Sequence, residues 1–183
     1  MTDQRSGLAG GHVIDNPTSG ERIVIRQSGA DTAGRLLAFD LYLPPGGHVP
    51  ATHAHPVQEE RFTVIAGQLH FRIGRDTTLA RPGETVVVKP GTAHWFCNAA
   101  ETTTVTRVEV RPALRMQELL ERSGAIGIGN SSPRAVVPCL PELALVLLEF
   151  ERELAVPRIP KVLVRLLLQP FAWLARQRSE LRA

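Results

Sequence analysis

The sequence predicts a mainly-β fold, a closed barrel or sandwich of short antiparallel strands, followed by C-terminal α-helices. Three observations carry this expectation. The chain is rich in turn formers, with 15 glycines and 14 prolines, and in its first part Gly/Pro turns recur roughly every ten residues, the punctuation of many short strands. Between those turns the residues alternate apolar and polar, as in Glu21–Gln27 (ERIVIRQ), Gln68–Ile73 (QLHFRI) and Thr102–Arg111 (TTTVTRVEVR). After Pro112 the apolar period lengthens from that of a strand to that of a helix.

The elements follow in order. Residues 1–20 are rich in Gly, Ser, Asp and Thr and read as a flexible N-terminal arm with a loose edge strand at most. Glu21–Gln27 and Arg35–Leu43 are strands. In the second, Leu36, Ala38, Asp40 and Tyr42 share one face and Leu37, Phe39, Leu41 and Leu43 the other. Pro44-Pro45-Gly46-Gly47 is a firm turn, and Val49–His55 leads into a strand over Arg61–Ile65. Ala66-Gly67 turns the chain into Gln68–Ile73. Short strands at Thr77–Leu79, Thr85–Val88, Ala93–Asn98 and Thr102–Arg111 complete the sheet region. Residues 21–112 therefore form the β unit and 113–183 a helical extension. In the extension, Pro112–Arg122 is a helix with Gly124 just beyond it, and Gly124–Pro138 is a loop. Pro141–Leu154 is a second helix, and Lys161–Leu181 is a third, kinked or divided at Pro170.

Composition sets the outer bounds. A 43% hydrophobic content in 183 residues supports a sizeable core, and only 5% aromatics makes that core aliphatic. Two cysteines form neither a disulfide framework nor a zinc-finger spacing, so a reducing, cytoplasmic setting is expected. The N-terminus has no apolar leader stretch, and no run of about 18 apolar residues predicts a spanning helix. Net charge is +3 and concentrated in the tail, where Arg158, Lys161, Arg165, Arg176, Arg178 and Arg182 face one acid, Glu180. No helix-turn-helix pattern flanks the β unit, and no nucleic-acid partner is expected.

The chemistry lies in His53-Ala54-His55-Pro56-Val57-Gln58-Glu59-Glu60 together with His94. His53 and His55 are two apart, so on an extended segment both imidazoles point to one side. Glu60 follows after a short bend, and His94 lies in phase with Phe96 and Asn98 on a later strand. Three imidazoles and a carboxylate suit one divalent transition metal ion and leave about two positions open on an octahedral ion.

The spacing carries a resemblance. Gly47-(five)-His53-x-His55-(four)-Glu60-(six)-Gly67 resembles the first cupin motif, and Gly83-(five)-Lys89-x-Gly91-(two)-His94-(three)-Asn98 the second. Lys89 stands where that family usually has proline, with Pro90 one place later. The six-residue interval to Gly67 favours Glu60 over Glu59 as the ligand. The resemblance implies a double-stranded β-helix (jelly-roll) barrel with the metal inside, usually dimeric. It does not imply one reaction. Fe(II) is the first choice of ion, with Zn, Ni, Mn and Cu as alternatives. The leading reading is a dioxygenase-like oxidoreductase acting on a small organic molecule. A cyclase, isomerase or lyase using the metal as Lewis acid is the second, and a non-catalytic ligand-binding cupin the third.

Other residues are candidates by phase. Tyr42, Phe62, Val64 and Phe96 would line an apolar substrate pocket. Glu59 and His70 are candidates for acid/base work, although His70, with Gln68 and Arg72, fits a solvated face better. Arg107 and Glu109 are expected in cross-strand ion pairs, and Asn98 in a structural turn. The tail from Val162 to Leu174 is too apolar to be left in water. Packing on the barrel or a homodimer interface is preferred for it over contact with a membrane surface.

Overall fold

Alternation of apolar and polar side chains makes each of these strands two-faced, and burying the apolar faces against one another produces the observed sandwich. The computed structural model describes residues 11–17, 19–49, 51–126 and 140–180. Among them are nine strands: β1 (Val13–Asn16), β2 (Glu21–Gln27), β3 (Leu37–Leu43), β4 (Glu59–Ala66), β5 (Leu69–Ile73), β6 (Asp76–Ala80), β7 (Thr85–Val88), β8 (His94–Asn98) and β9 (Thr104–Arg111). All pair antiparallel, in a six-stranded sheet ordered β1-β2-β3-β9-β4-β7 and a three-stranded sheet ordered β6-β5-β8. His48 and His53 extend the smaller sheet by isolated bridges to Cys97 and His94. The core fills the gap between the sheets. Phe62 of the large sheet meets Phe71 and Phe96 of the small one, with ring centroids 5.2 and 5.3 Å apart.

Two turns hold this register. Gly67 has φ of 78°, and a Cβ there would lie 2.5 Å from Thr104 Oγ1, so only glycine fits. Asn98 is saturated: its amide donates to the Leu43 and Thr102 carbonyls, and its Oδ1 accepts from the Ala100 N–H and the Thr104 hydroxyl. Its role is structural, as its place in the turn suggests. Asp40 is buried and held by Arg26 at 2.7 Å and Arg107 at 2.5 Å. Glu109 pairs with Arg111 and, across the strands, with Arg61.

Three helices follow among the described residues: α1 (Met116–Ile126), α2 (Leu140–Glu149) and α3 (Lys161–Glu180). The first begins four residues later than the proline signal suggests. Leu114 sits at φ 44°, outside helical space, and the Gln58 amide holds the Pro112 and Ala113 carbonyls in a turn. Gly124 is inside α1 rather than beyond it, because its bare Cα lies against β1; a Cβ would sit 3.1 Å from Ile14 Cγ2. Helix α2 ends at Glu149, short of Leu154, as Leu154 turns back to the Phe150 carbonyl and Ala155 pairs with Ala54. The first ten residues of the arm and most of the expected loop over 124–138 lie outside the described residues.

The tail is one helix with Pro170 inside it. It packs on α2, and Ala172 and Ala175 are buried, while Val162, Leu163, Leu166, Leu167 and Trp173 are each at least half exposed. The covering of the barrel expected of the tail is thus provided by α1, α2 and the segment after α2. No helix among the described residues is long and apolar enough to cross a membrane.

Two outcomes check these features. Gly67→Ala should lower stability by about 2 kcal/mol, read from the urea midpoint, because it combines a clash with a left-handed backbone. Leu166→Gln with Leu167→Gln should change monomer stability by no more than about 0.5 kcal/mol each. A larger, concentration-dependent loss would show that a second molecule covers this face.

Candidate metal centre and its cavity

Strand phase brings the four predicted ligands together. His53 and His55 flank Ala54, whose backbone pairs with Ala155, so the two imidazoles turn to the same side. His53 also pairs through its backbone with His94, with N–H···O distances of 3.0 and 2.8 Å. Glu60 enters from the opposite sheet, level with Val88 and Val110. The imidazole centroids are 4.3 to 5.2 Å apart, and one ligand atom from each of the four residues falls within 4.8 Å of all the others. His55, Glu60 and His94 are buried; His53 is half-buried.

Hydrogen bonds set the tautomers. The Nδ1 atoms of His53, His55 and His94 lie 3.0, 2.5 and 3.1 Å from the carbonyls of Ala51, Glu153 and Thr92. A carbonyl only accepts, so each Nδ1 carries the proton and each Nε2 presents a lone pair. The Nε2 atoms of His55 and His94 are 3.2 and 3.0 Å from Glu60 Oε2, and none of these three buried atoms has a hydrogen-bond partner. Lone pairs facing lone pairs in a buried site need a cation between them, either a proton or a metal ion. The donor set therefore fits a divalent transition ion.

The electrostatics agree. Burial and the neighbouring His94 and His55 push His53 down to about 3, so it remains a neutral donor. Burial works against charge on His55, but the Glu60 carboxylate outweighs it and raises that imidazole. Burial works against charge on Glu60 too, and the His55 and His94 contacts overcome it, holding the carboxyl well below its usual range. A metal ion would take the place of a proton shared by Glu60 and His55.

Beside the ligands opens a cavity of about 410 Å³. Phe39 and Leu41 of β3, Phe62, Phe96 and Val108 form the barrel side of its wall. Helix α1 contributes Met116 and Leu119, and the chain around α2 contributes Val146 and Leu154. Of the substrate-lining candidates, Phe62 and Phe96 are on this wall. Tyr42 is not, because it projects from β3 opposite to Leu41, and Val64 lies in the packed core. Neither acid/base candidate reaches the cavity. Glu59 points outward toward Arg61, 3.7 Å away. His70 alternates with the buried Leu69 and Phe71 and lies on the outer side of β5.

One ionisable wall residue was not anticipated. Glu21 shares its strand face with Ile23 and Ile25, an acid on an apolar stripe, and that phase was the available signal. Its carboxyl has no hydrogen bond or ion pair among the described residues, and burial pushes it up to about 7.

Three outcomes are expected. His53→Ala and His94→Ala should each remove most bound metal, measured by elemental analysis; full retention would refute the ligand assignment. Glu60→Gln should reduce metal content at least tenfold more than Glu59→Gln, since only Glu60 faces the imidazoles. Glu21 has a folded pKa near 7, above its unfolded value of 4.5, so the folded state keeps its proton longer. Its contribution to stability is complete below the unfolded value and is lost as pH rises through about 7. Glu21→Gln should therefore flatten the melting-temperature profile between these two pH values.

Comparison with known proteins agrees with this geometry. The cupin domain family model matches residues 39–110. No curated protein sequence matches significantly. Among solved structures, a predicted oxalate decarboxylase from Thermotoga maritima is 19% identical with a TM-score of 0.50, over 61% of this chain and 99% of that one. KdgF from Halomonas sp. is 18% identical with a TM-score of 0.48, over 55% and 86%. A cupin sugar phosphate isomerase from Silicibacter pomeroyi is 20% identical with a TM-score of 0.46, over 51% and 60%. At 19% identity, the Thermotoga maritima structure speaks to fold alone. The family match, the two-sheet barrel and the three-histidine, one-glutamate cluster together identify residues 39–110 as a cupin domain.

Proposed function

We propose that this protein is a mononuclear-metal enzyme that oxidises a small, largely apolar organic molecule in a dioxygenase-like reaction. The observation that carries the reading is the opening of the ligand cluster onto the apolar cavity: His53, His55 and Glu60 are part of its wall. A bound Fe(II) would supply a redox-active centre with coordination positions free for substrate and O₂. The chain's residues do the rest. The three imidazoles present neutral lone pairs, and Glu60 supplies one negative charge that lowers the net charge of the buried centre. Phe62, Phe96 and Val108 exclude water beside it.

Oxidation is favoured over the Lewis-acid reading by the make-up of the wall. An isomerase, lyase or cyclase needs a group to carry a proton next to the metal. Among the described wall residues, the only ionisable side chain besides the ligands is Glu21, several strand rungs away. Dioxygenation places both atoms of O₂ in the substrate and draws its electrons from that substrate, so neither a protein acid nor an external reductant is required.

The Fe(II)-loaded protein incubated with apolar catechols and β-diketones should take up O₂ in proportion to product, and His53→Ala should abolish uptake. Turnover that continues without O₂ would replace this reading by Lewis-acid chemistry. Tight binding without product would make the protein a binding module.

A further inference from the structure

The cavity is longer than a metal site requires, and its two ends differ from its middle. Pairing across the large sheet gives the axis. Glu60 is level with Val110, which is level with Leu37 of β3. Phe62, Val108, Phe39 and Ile25 form the next inward rung, and Leu41 with Ile23 the one after. Arg22 is level with Tyr42, and Glu21 lies one residue further on. The five steps from Leu37 to Tyr42 span roughly 17 Å at about 3.4 Å each. The wall thus runs from the metal ligands, past two apolar rungs, to Glu21 and the buried Asn16, which is its partner on β1. Ser123 and Gly124 of α1 close that far end; Gly124 is the residue packed on Ile14.

Glu21 is free to act there. No Lys or Arg is on the described wall, and the wall's other ionisable groups are ligands at the opposite end. The charged groups on neighbouring elements are already paired on the surface, Arg22 with Asp15 at 2.6 Å and His12 with Glu121 at 3.1 Å. An unpartnered carboxyl in an apolar cavity is costly unless a ligand uses it.

We propose that the cavity takes an elongated, largely apolar molecule held at both ends. A metal-binding oxygen group sits at the His53, His55, Glu60 and His94 cluster, and a hydrogen-bond donor on the far end, an amine or a hydroxyl, is held by Glu21. The proposal rests on the metal reading above and deepens it by naming the substrate class. The rise of the Glu21 pKa with burial is consistent with a site that becomes charged when it meets a cationic group. A volume of about 410 Å³ is within the usual range for small-molecule sites, about 300–1,000 Å³.

The test uses full-length protein loaded with zinc, a redox-inert ion, and calorimetric titration with hydroxamates, which chelate metal. Acetohydroxamic acid reaches only the metal end; dodecanohydroxamic acid fills the apolar middle; its ω-amino and ω-hydroxy derivatives reach Glu21. At least one ω-derivative should bind roughly tenfold or more tightly than the plain dodecyl compound, as expected for a hydrogen bond to a buried carboxyl. Glu21→Leu should erase that preference and leave acetohydroxamate binding unchanged. Glu21→Gln should keep a preference for the hydroxyl and lose any preference for the amine. Equal affinity of plain and ω-substituted compounds, or a preference that survives Glu21→Leu, overturns the assignment of Glu21. Binding of acetohydroxamate alone overturns the elongated site while leaving the metal centre standing. Failure to retain zinc overturns the metal reading and this proposal with it.

Discussion

Three imidazole N–H groups donating to three backbone carbonyls are the constraint on which the rest of this structure turns. Each bond fixes a tautomer, and together they commit three Nε2 lone pairs to one point shared with Glu60. A ring free to flip would supply a donor or an acceptor as its surroundings asked. These rings turn Nε2 lone pairs toward Glu60 and can be satisfied there only by a proton or a metal ion, so the site is set for a cation before a metal arrives. The β-bridge between His53 and His94 and the register that levels Glu60 with Val88 and Val110 keep the four groups at the right depth.

The surrounding wall gives the cluster its chemical character. Immediately beside the ligands are aromatic and aliphatic side chains, and the residues that looked suited to proton transfer, Glu59 and His70, are on outer faces. The wall beside the ligands is therefore apolar, and neither of these two residues is next to the cluster. Such a wall strengthens every charge interaction at the centre, because little water screens it.

Much of this was legible in the sequence, for a physical reason. Strand phase has a period of two, so His53 with His55, Phe62 with Glu60, and Phe96 with His94 could be assigned to faces directly, and the interval to Gly67 singled out Glu60. Tyr42 and Val64 had a plausible phase, but phase does not tell which of two buried surfaces opens onto a cavity. The helix boundaries after Pro112 and Glu149 were set by tertiary contacts, the Gln58 amide in one case and the Ala54 backbone in the other. Glu153 had no signal at all: it serves His55 through a carbonyl oxygen that every residue possesses.

That carbonyl has a consequence for how the molecule is divided. The segment after α2 pairs with Ala54 between the two leading ligands, and it orients His55 from 98 positions away in the chain. The family pattern ends at residue 110, yet one ligand's tautomer and much of the cavity roof come from beyond it. A barrel excised at that boundary, or grafted onto a relative's extension, would carry all four ligands and still lack the contact that aims one of them. The unit that holds the four ligands together with the contact that aims His55 therefore runs at least to Val156.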